Sequence, residues 1–70
     1  MNQGQLIRAL YNKMKQDAQG DTETILDFLN WLHYEKNEVV YLKDMDGLTE
    51  IERNYIEQLL EGKIAKKNFG

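Results

Sequence analysis

The chain is 70 residues long, carries 12 acidic and 9 basic side chains for a net charge of −3, and contains no cysteine, serine or proline. This length allows one domain, the lack of cysteine excludes disulfides and thiolate metal sites, and the lack of serine excludes a serine nucleophile. A hydrophobic fraction of 41% is too high for a disordered chain. Domains this small usually need a disulfide, a metal or a partner chain for stability, so we expect a protein partner or self-assembly.

The N-terminal segment is predicted to be helical and free of targeting signals. Residues 1–10 lack the basic region and apolar stretch of a signal peptide, and no apolar run approaches the roughly 20 residues that span a bilayer. We therefore expect a cytoplasmic protein with no membrane contact. The apolar side chains of the first helix recur at steps of three and four: Leu6, Ile7, Leu10, Tyr11 and Met14. Gly20 is a natural stop.

A second helix is predicted to begin after Asp21 or Thr22, either of which can cap it. It should end near Lys36. Its apolar stripe consists of Ile25, Leu26, Phe28, Leu29 and Leu32. At about 100° per residue, Trp31 and Tyr34 fall beyond the edge of that stripe.

The third helix has the clearest start, because Thr49 and Glu52 have the T-x-x-E spacing of a capping box. Its apolar face consists of Ile51, Tyr55, Ile56, Leu59 and Leu60. Gly62 is expected to end it.

Residues 38–43 are rich in β-branched and aromatic side chains, which favour an extended segment. A lone strand has no ladder partner within one chain. It could therefore pair with its copy in a dimer, or serve as an extended linker with Val39 or Tyr41 in the core. The predicted fold is mainly α, a small three-helix bundle with a short extended segment before the last helix. Residues 1–62 form the single domain, and residues 63–70 form a flexible basic tail.

Charge is unevenly distributed along the chain. The net charge is +2 over residues 1–20, −4 over residues 21–35, −3 over residues 48–62 and +3 over the tail. The simplest interpretation is that a basic first helix lies beside acidic helices. The alternative is that an acidic face docks on a basic partner surface.

Residues able to carry catalysis or hold a metal are scarce. His33 is the sole histidine, and the positions three and four residues away from it hold no metal ligand of a usual kind. Residues 44–47 faintly resemble a calcium loop but lack its third acid and its bidentate glutamate. A catalytic carboxylate needs a pocket that shifts its pKa, and a domain of this size has little room for one. We expect no enzyme activity, no metal and no cofactor.

The segment from Leu48 to Lys63 begins Leu-Thr and ends Leu-Leu-Glu-Gly-Lys. It resembles the opening helix of the LuxR-type helix-turn-helix, which has a Leu-Thr start and a Leu-Leu-x-Glu-Gly-Lys ending. That resemblance implies a DNA-binding regulator acting as a dimer. The family then continues with a turn and a recognition helix, whereas residues 64–70 are too few for one. The acidic net charge also disfavours phosphate contacts, so nucleic acid is an unlikely partner.

The aromatic side chains provide the remaining functional signal. Trp and Tyr are favoured anchors of protein interfaces, and Trp31 and Tyr34 flank their stripe beside acidic residues. Their alternative role is core filling. We therefore expect a non-enzymatic protein-binding module, a regulator, adaptor or inhibitor resembling the products of phage or bacterial accessory genes, with these contacts: Asp27, Trp31, Tyr34, Glu35 and Tyr41. A self-assembling structural subunit is a further alternative.

Overall fold

The computed structural model describes residues 1–69 and confirms a mainly α-helical chain with three helices. Helix α1 spans Gln3–Asp17, α2 spans Thr22–Tyr34 and α3 spans Glu50–Leu60. A four-residue 3-10 turn, Val39–Leu42, lies between α2 and α3 and is called η1 below. No strand occurs in residues 1–69. The elements form a body of about 30 × 25 × 24 Å.

Side-chain caps fix where each helix begins. The Asp21 side chain accepts a hydrogen bond from the Thr24 backbone N–H at the start of α2, as predicted. Both bonds of the Thr49–Glu52 capping box are present at the start of α3, which confirms that prediction too. A second capping box, which sequence reasoning missed, joins Asn2 to Gln5 at the start of α1.

The core combines the predicted helix stripes with η1. Its nine buried apolar side chains are Ile7, Tyr11, Ile25, Leu29, Leu32, Val39, Leu42, Ile56 and Leu59. Because η1 contacts α1, α2 and α3, this short turn occupies the centre of the packing. The edges of the predicted stripes are exposed, so the buried face of each helix is narrower than its apolar pattern. The exposed edge residues are Leu6, Leu10, Ile51 and Leu60.

The extended conformation expected for residues 38–43 is wrong. The Tyr41 N–H donates to the Glu38 carbonyl and the Lys43 N–H donates to the Val40 carbonyl, each at 3.2 Å, which closes 3-10 turns. Side chains three residues apart share one side of such a turn, so Val39 and Leu42 are both buried while the two residues between them are exposed. An intermolecular strand in a dimer therefore has no support here.

Candidate protein-binding surface

Four of the five predicted contact residues lie together on α2. Asp27, Trp31 and Glu35 follow one another at steps of four residues, with Tyr34 beside them, and we call these four residues the outer face of α2. They lie beyond the buried stripe that anchors the helix in the core, and Trp31 lies at its edge, partly packed against the core. The fifth residue, Tyr41, lies elsewhere on η1, where its carbonyl oxygen accepts a hydrogen bond from Arg8.

Trp31 is half-buried, and neighbouring rings hold it in place. Its ring centroid lies 5.6 Å from that of Phe28, which in turn stacks on Tyr11 of α1 at 6.2 Å. The Lys36 ammonium lies 5.6 Å from the centroid of the Trp31 ring, within cation–π range. Trp31 is thus packed against the core on one side and accessible on the other.

The C-terminal tail, defined here as residues 63–69, lies across the outer face of α2. The Asn30 amide Nδ2 donates to the Ala65 carbonyl at 3.1 Å, and the Lys67 backbone N–H donates to Asn30 Oδ1 at 2.9 Å. The Tyr34 hydroxyl also donates to the Ile64 carbonyl. The sequence predicts a frayed tail, whereas this segment has three main-chain hydrogen bonds to α2.

Asn30 is central to this contact because its side chain is almost fully buried. Its Nδ2 also donates to the Tyr55 hydroxyl of α3, at 3.2 Å. Buried amides are nearly always hydrogen-bonded, so these partners explain why a polar side chain is tolerated there. Sequence reasoning missed Asn30 and Tyr55; the available signal was an amide close to the predicted core stripe.

Two lysines of the tail pair with the two carboxylates of the outer face. Lys66 Nζ lies 2.8 Å from Glu35, and Lys67 pairs with Asp27. The hydrogen bond from Lys66, together with its charge, lowers the pKa of Glu35. The hydrogen bond to Asp27 raises the pKa of Lys67. All four side chains remain partly exposed, so these pairs add little stability and weaken in salt. Two of the four acidic residues in the stretch 21–35 are thus paired with the basic tail.

A cleft of about 540 Å³ opens beside Trp31, between α2 and the end of the tail. Its lining residues are Trp31, Glu35, Lys36, Lys66, Lys67, Asn68 and Phe69. The indole and the half-exposed Phe69 provide apolar surface, and the charged groups rim it. The cleft can receive a side chain of a partner, but it is too open to exclude water from a reaction.

A second cluster of titratable groups is buried between α1 and α3. Lys15 Nζ lies 2.8 Å from Glu52 Oε1 and 5.4 Å from the centroid of the Tyr11 ring. Burial opposes ionisation of Glu52, but the hydrogen bond and charge of Lys15, together with the Tyr11 hydroxyl and the Thr49 N–H, outweigh it and lower the pKa of this carboxyl. Burial, together with the nearby Glu52 carboxylate, raises the pKa of Tyr11 far above its ordinary value. The cluster links α1 to α3, and its Glu52 side chain also accepts the Thr49 backbone N–H of the capping box. Its role is therefore structural.

The remaining candidates for chemistry do not come together. His33 packs edge-on against Tyr34, with ring centroids 4.7 Å apart, and its buried Nδ1 has no hydrogen-bond partner within residues 1–69. Over the same part of the chain, no group of three or more histidine, aspartate or glutamate side chains could hold a metal ion. None of the described helices is both long and apolar enough to cross a membrane.

Comparison with known proteins identifies no relative. No protein-family model, no curated protein and no solved structure matches this chain.

Proposed function

We propose that this chain is a small, non-enzymatic protein-binding module, a regulator, adaptor or inhibitor that acts in the cytoplasm through the outer face of α2. The observation that carries the proposal is the alignment of Asp27, Trp31 and Glu35 along one helix face whose two carboxylates already bind lysines of a peptide segment. The partner chemistry that fits this face is a basic segment of another protein.

Two physical properties support this choice. Trp31 is already ordered by its contact with Phe28, so binding loses little side-chain entropy there. Tryptophan and tyrosine are also the side chains that most often dominate binding energy. The flanking carboxylates then orient a basic partner and speed its association.

The structure does not favour the two alternative functions. All five lysines of α1 and of the tail lie within 4 Å of a carboxylate, which disfavours their contact with phosphates. They are Lys13, Lys15, Lys63, Lys66 and Lys67. A dimer paired through a shared strand at residues 38–43 has no support, because that segment is a 3-10 turn, whereas self-assembly through another surface stays an alternative.

The proposal is tested by affinity capture from the native host with quantitative mass spectrometry. The wild-type chain is compared with Trp31→Ala, with Glu35→Lys and with Ile51→Ala, which removes an exposed apolar side chain on α3. We expect one partner that is retained by Ile51→Ala and lost by the first two variants, with circular dichroism showing intact helices. Retention of the partner by Glu35→Lys and Trp31→Ala would refute the assignment of this face.

A further inference from the structure

We infer that the outer face of α2, together with Asn30, is a binding slot for an extended peptide with two adjacent basic residues, and that the tail occupies this slot as an internal competitor. The inference rests on the proposed function and specifies the partner. It concerns the shape and charge of the ligand, which the tail reveals by its own contacts.

The slot recognises peptide backbone. Asn30 bonds the carbonyl of Ala65 and the N–H of Lys67, two groups that nearly every extended peptide presents at the same spacing. Tyr34 adds a third main-chain bond through its hydroxyl. Because Asn30 is buried and must keep its partners, a segment that displaces the tail has to supply the same carbonyl and N–H.

The slot also recognises charge at a defined spacing. Asp27 and Glu35 are eight residues apart, which is about 12 Å along a helix. Neighbouring side chains of an extended segment point to opposite sides, so Lys66 and Lys67 reach the two carboxylates at once. A single basic residue would engage one carboxylate only, and the slot therefore favours an adjacent basic pair.

The tail can leave without dismantling the core. Of its residues, Ile64 is the one partly buried apolar side chain that packs against the core, and residues 65–69 are exposed. The chain enters the tail through Gly62, whose φ of +75° is easily adopted by glycine. A partner segment that also fills the cleft beside Trp31 would gain contacts that the tail leaves unused.

The test uses the 70-residue chain with the double substitution Lys66→Glu and Lys67→Glu. These substitutions replace the attraction of the tail to Asp27 and Glu35 by repulsion. The probe is a fluorescein-labelled peptide with the sequence of residues 63–69, followed by fluorescence polarisation. We expect the double variant to bind this peptide about tenfold more tightly than the wild-type chain, since its slot is no longer occupied in cis. Binding should weaken as salt increases.

Matched controls separate occupancy of the slot from overall charge. The double substitution Lys13→Glu and Lys63→Glu changes the net charge equally but leaves the Lys66–Glu35 and Lys67–Asp27 pairs intact, so it should bind the peptide as weakly as the wild type. Adding Asn30→Ala to the double variant should abolish peptide binding. If that variant is unfolded by circular dichroism, Tyr34→Phe replaces it and should weaken binding.

Several outcomes would overturn the inference. These are equal peptide affinity for the wild type and the double variant, equal affinity for a scrambled peptide, or full binding after loss of the Asn30 amide or the Tyr34 hydroxyl. Concentration-dependent dimers of the wild-type chain, seen by light scattering, would instead assign the slot to the tail of a second copy. The peptide assay uses purified components, so its failure is distinct from a failure to capture a host partner.

Discussion

Replacing Lys15 by methionine keeps the length of the side chain but removes the charge that faces Glu52. The Glu52 side chain is only 6% exposed and that of Lys15 24%. The carboxylate would keep the weak hydrogen bond from the Thr49 N–H at 3.4 Å and the nearby Tyr11 hydroxyl, but no positive charge. Removing one member of a fully buried pair costs about 3–5 kcal/mol, so we expect about 2–3 kcal/mol for this partly solvated lysine.

A loss of this size would be large for so small a domain. At roughly 0.05–0.15 kcal/mol per residue, the free energy of unfolding of a chain of this length is about 4–10 kcal/mol. A loss of 2–3 kcal/mol corresponds to a fall in Tm of about 10–20 °C. The variant is therefore expected to fold at 20 °C but to melt well below the wild type.

The stability difference between the wild type and Lys15→Met should depend on pH in a defined direction. In the wild type the pKa of Glu52 is lowered, so this group stabilises the fold above the unfolded pKa and loses that effect as the pH falls through the folded pKa. In Lys15→Met the hydrogen bond and the charge of Lys15 are gone, so burial has less to oppose it and the pKa of Glu52 should rise relative to the wild type. Acidification should therefore reduce the deficit of the variant relative to the wild type, because protonation removes the buried charge.

Urea denaturation followed by circular dichroism at pH 7 and near pH 4.5 measures this difference. Glu52→Gln is the matched control, since glutamine keeps the capping box while it removes the charge. The double variant Lys15→Met with Glu52→Gln should be more stable than Lys15→Met alone. A deficit that is equal at both pH values, or single effects that simply add, would refute the buried-charge explanation.

Three further predictions concern single sites. Thr49→Ala removes the cap of α3 and should reduce stability by about 1 kcal/mol in urea denaturation, whereas Thr49→Asp should restore most of it. Tyr11→Phe removes the buried hydroxyl beside the Glu52 carboxylate, which favours the charged form of Glu52, and should cost about 1 kcal/mol in the same assay; an unchanged stability would show that this hydroxyl makes no hydrogen bond to Glu52. Gly62→Ala forces a side chain into the left-handed region at φ +75° and should lower Tm by several degrees for a cost of about 1 kcal/mol, which comes from the local backbone alone because no other residue lies within 4 Å of the added Cβ.

The helices and their starts could be predicted because their signals are local. The apolar spacing around Leu29 and Ile56 identifies faces that are buried in the structure. The Thr49–Glu52 box and the Asp21 cap depend only on residues within one turn. Four of the five proposed contacts also fell on one face, because helical periodicity alone brings Asp27, Trp31 and Glu35 into line.

The conformation of η1 and the course of the tail could not be predicted, because both depend on tertiary contacts. The preference of valine for strands reflects the packing and burial of its side chain in sheets. In this chain a 3-10 turn provides that burial instead, because it places Val39 and Leu42 together in the core. The tail has no apolar period, so only its charge gave a signal. No neighbour was predicted for that charge: Lys66 and Lys67 pair with carboxylates of the outer face of α2, whereas α1 meets the acidic helix α3 through Lys15.

The central position of η1 also has a consequence for the order of assembly. Helix α1 packs chiefly against η1, whereas α2 and α3 contact each other as well as η1. We therefore expect the hairpin of α2, η1 and α3 to form a partial nucleus onto which α1 docks last and from which it detaches first. In native-state hydrogen exchange we expect the amides of α1 to open at a lower free energy than those around Leu29 and Ile56, so that brief exposure of the hydrophobic interior begins at the N-terminal end of the chain.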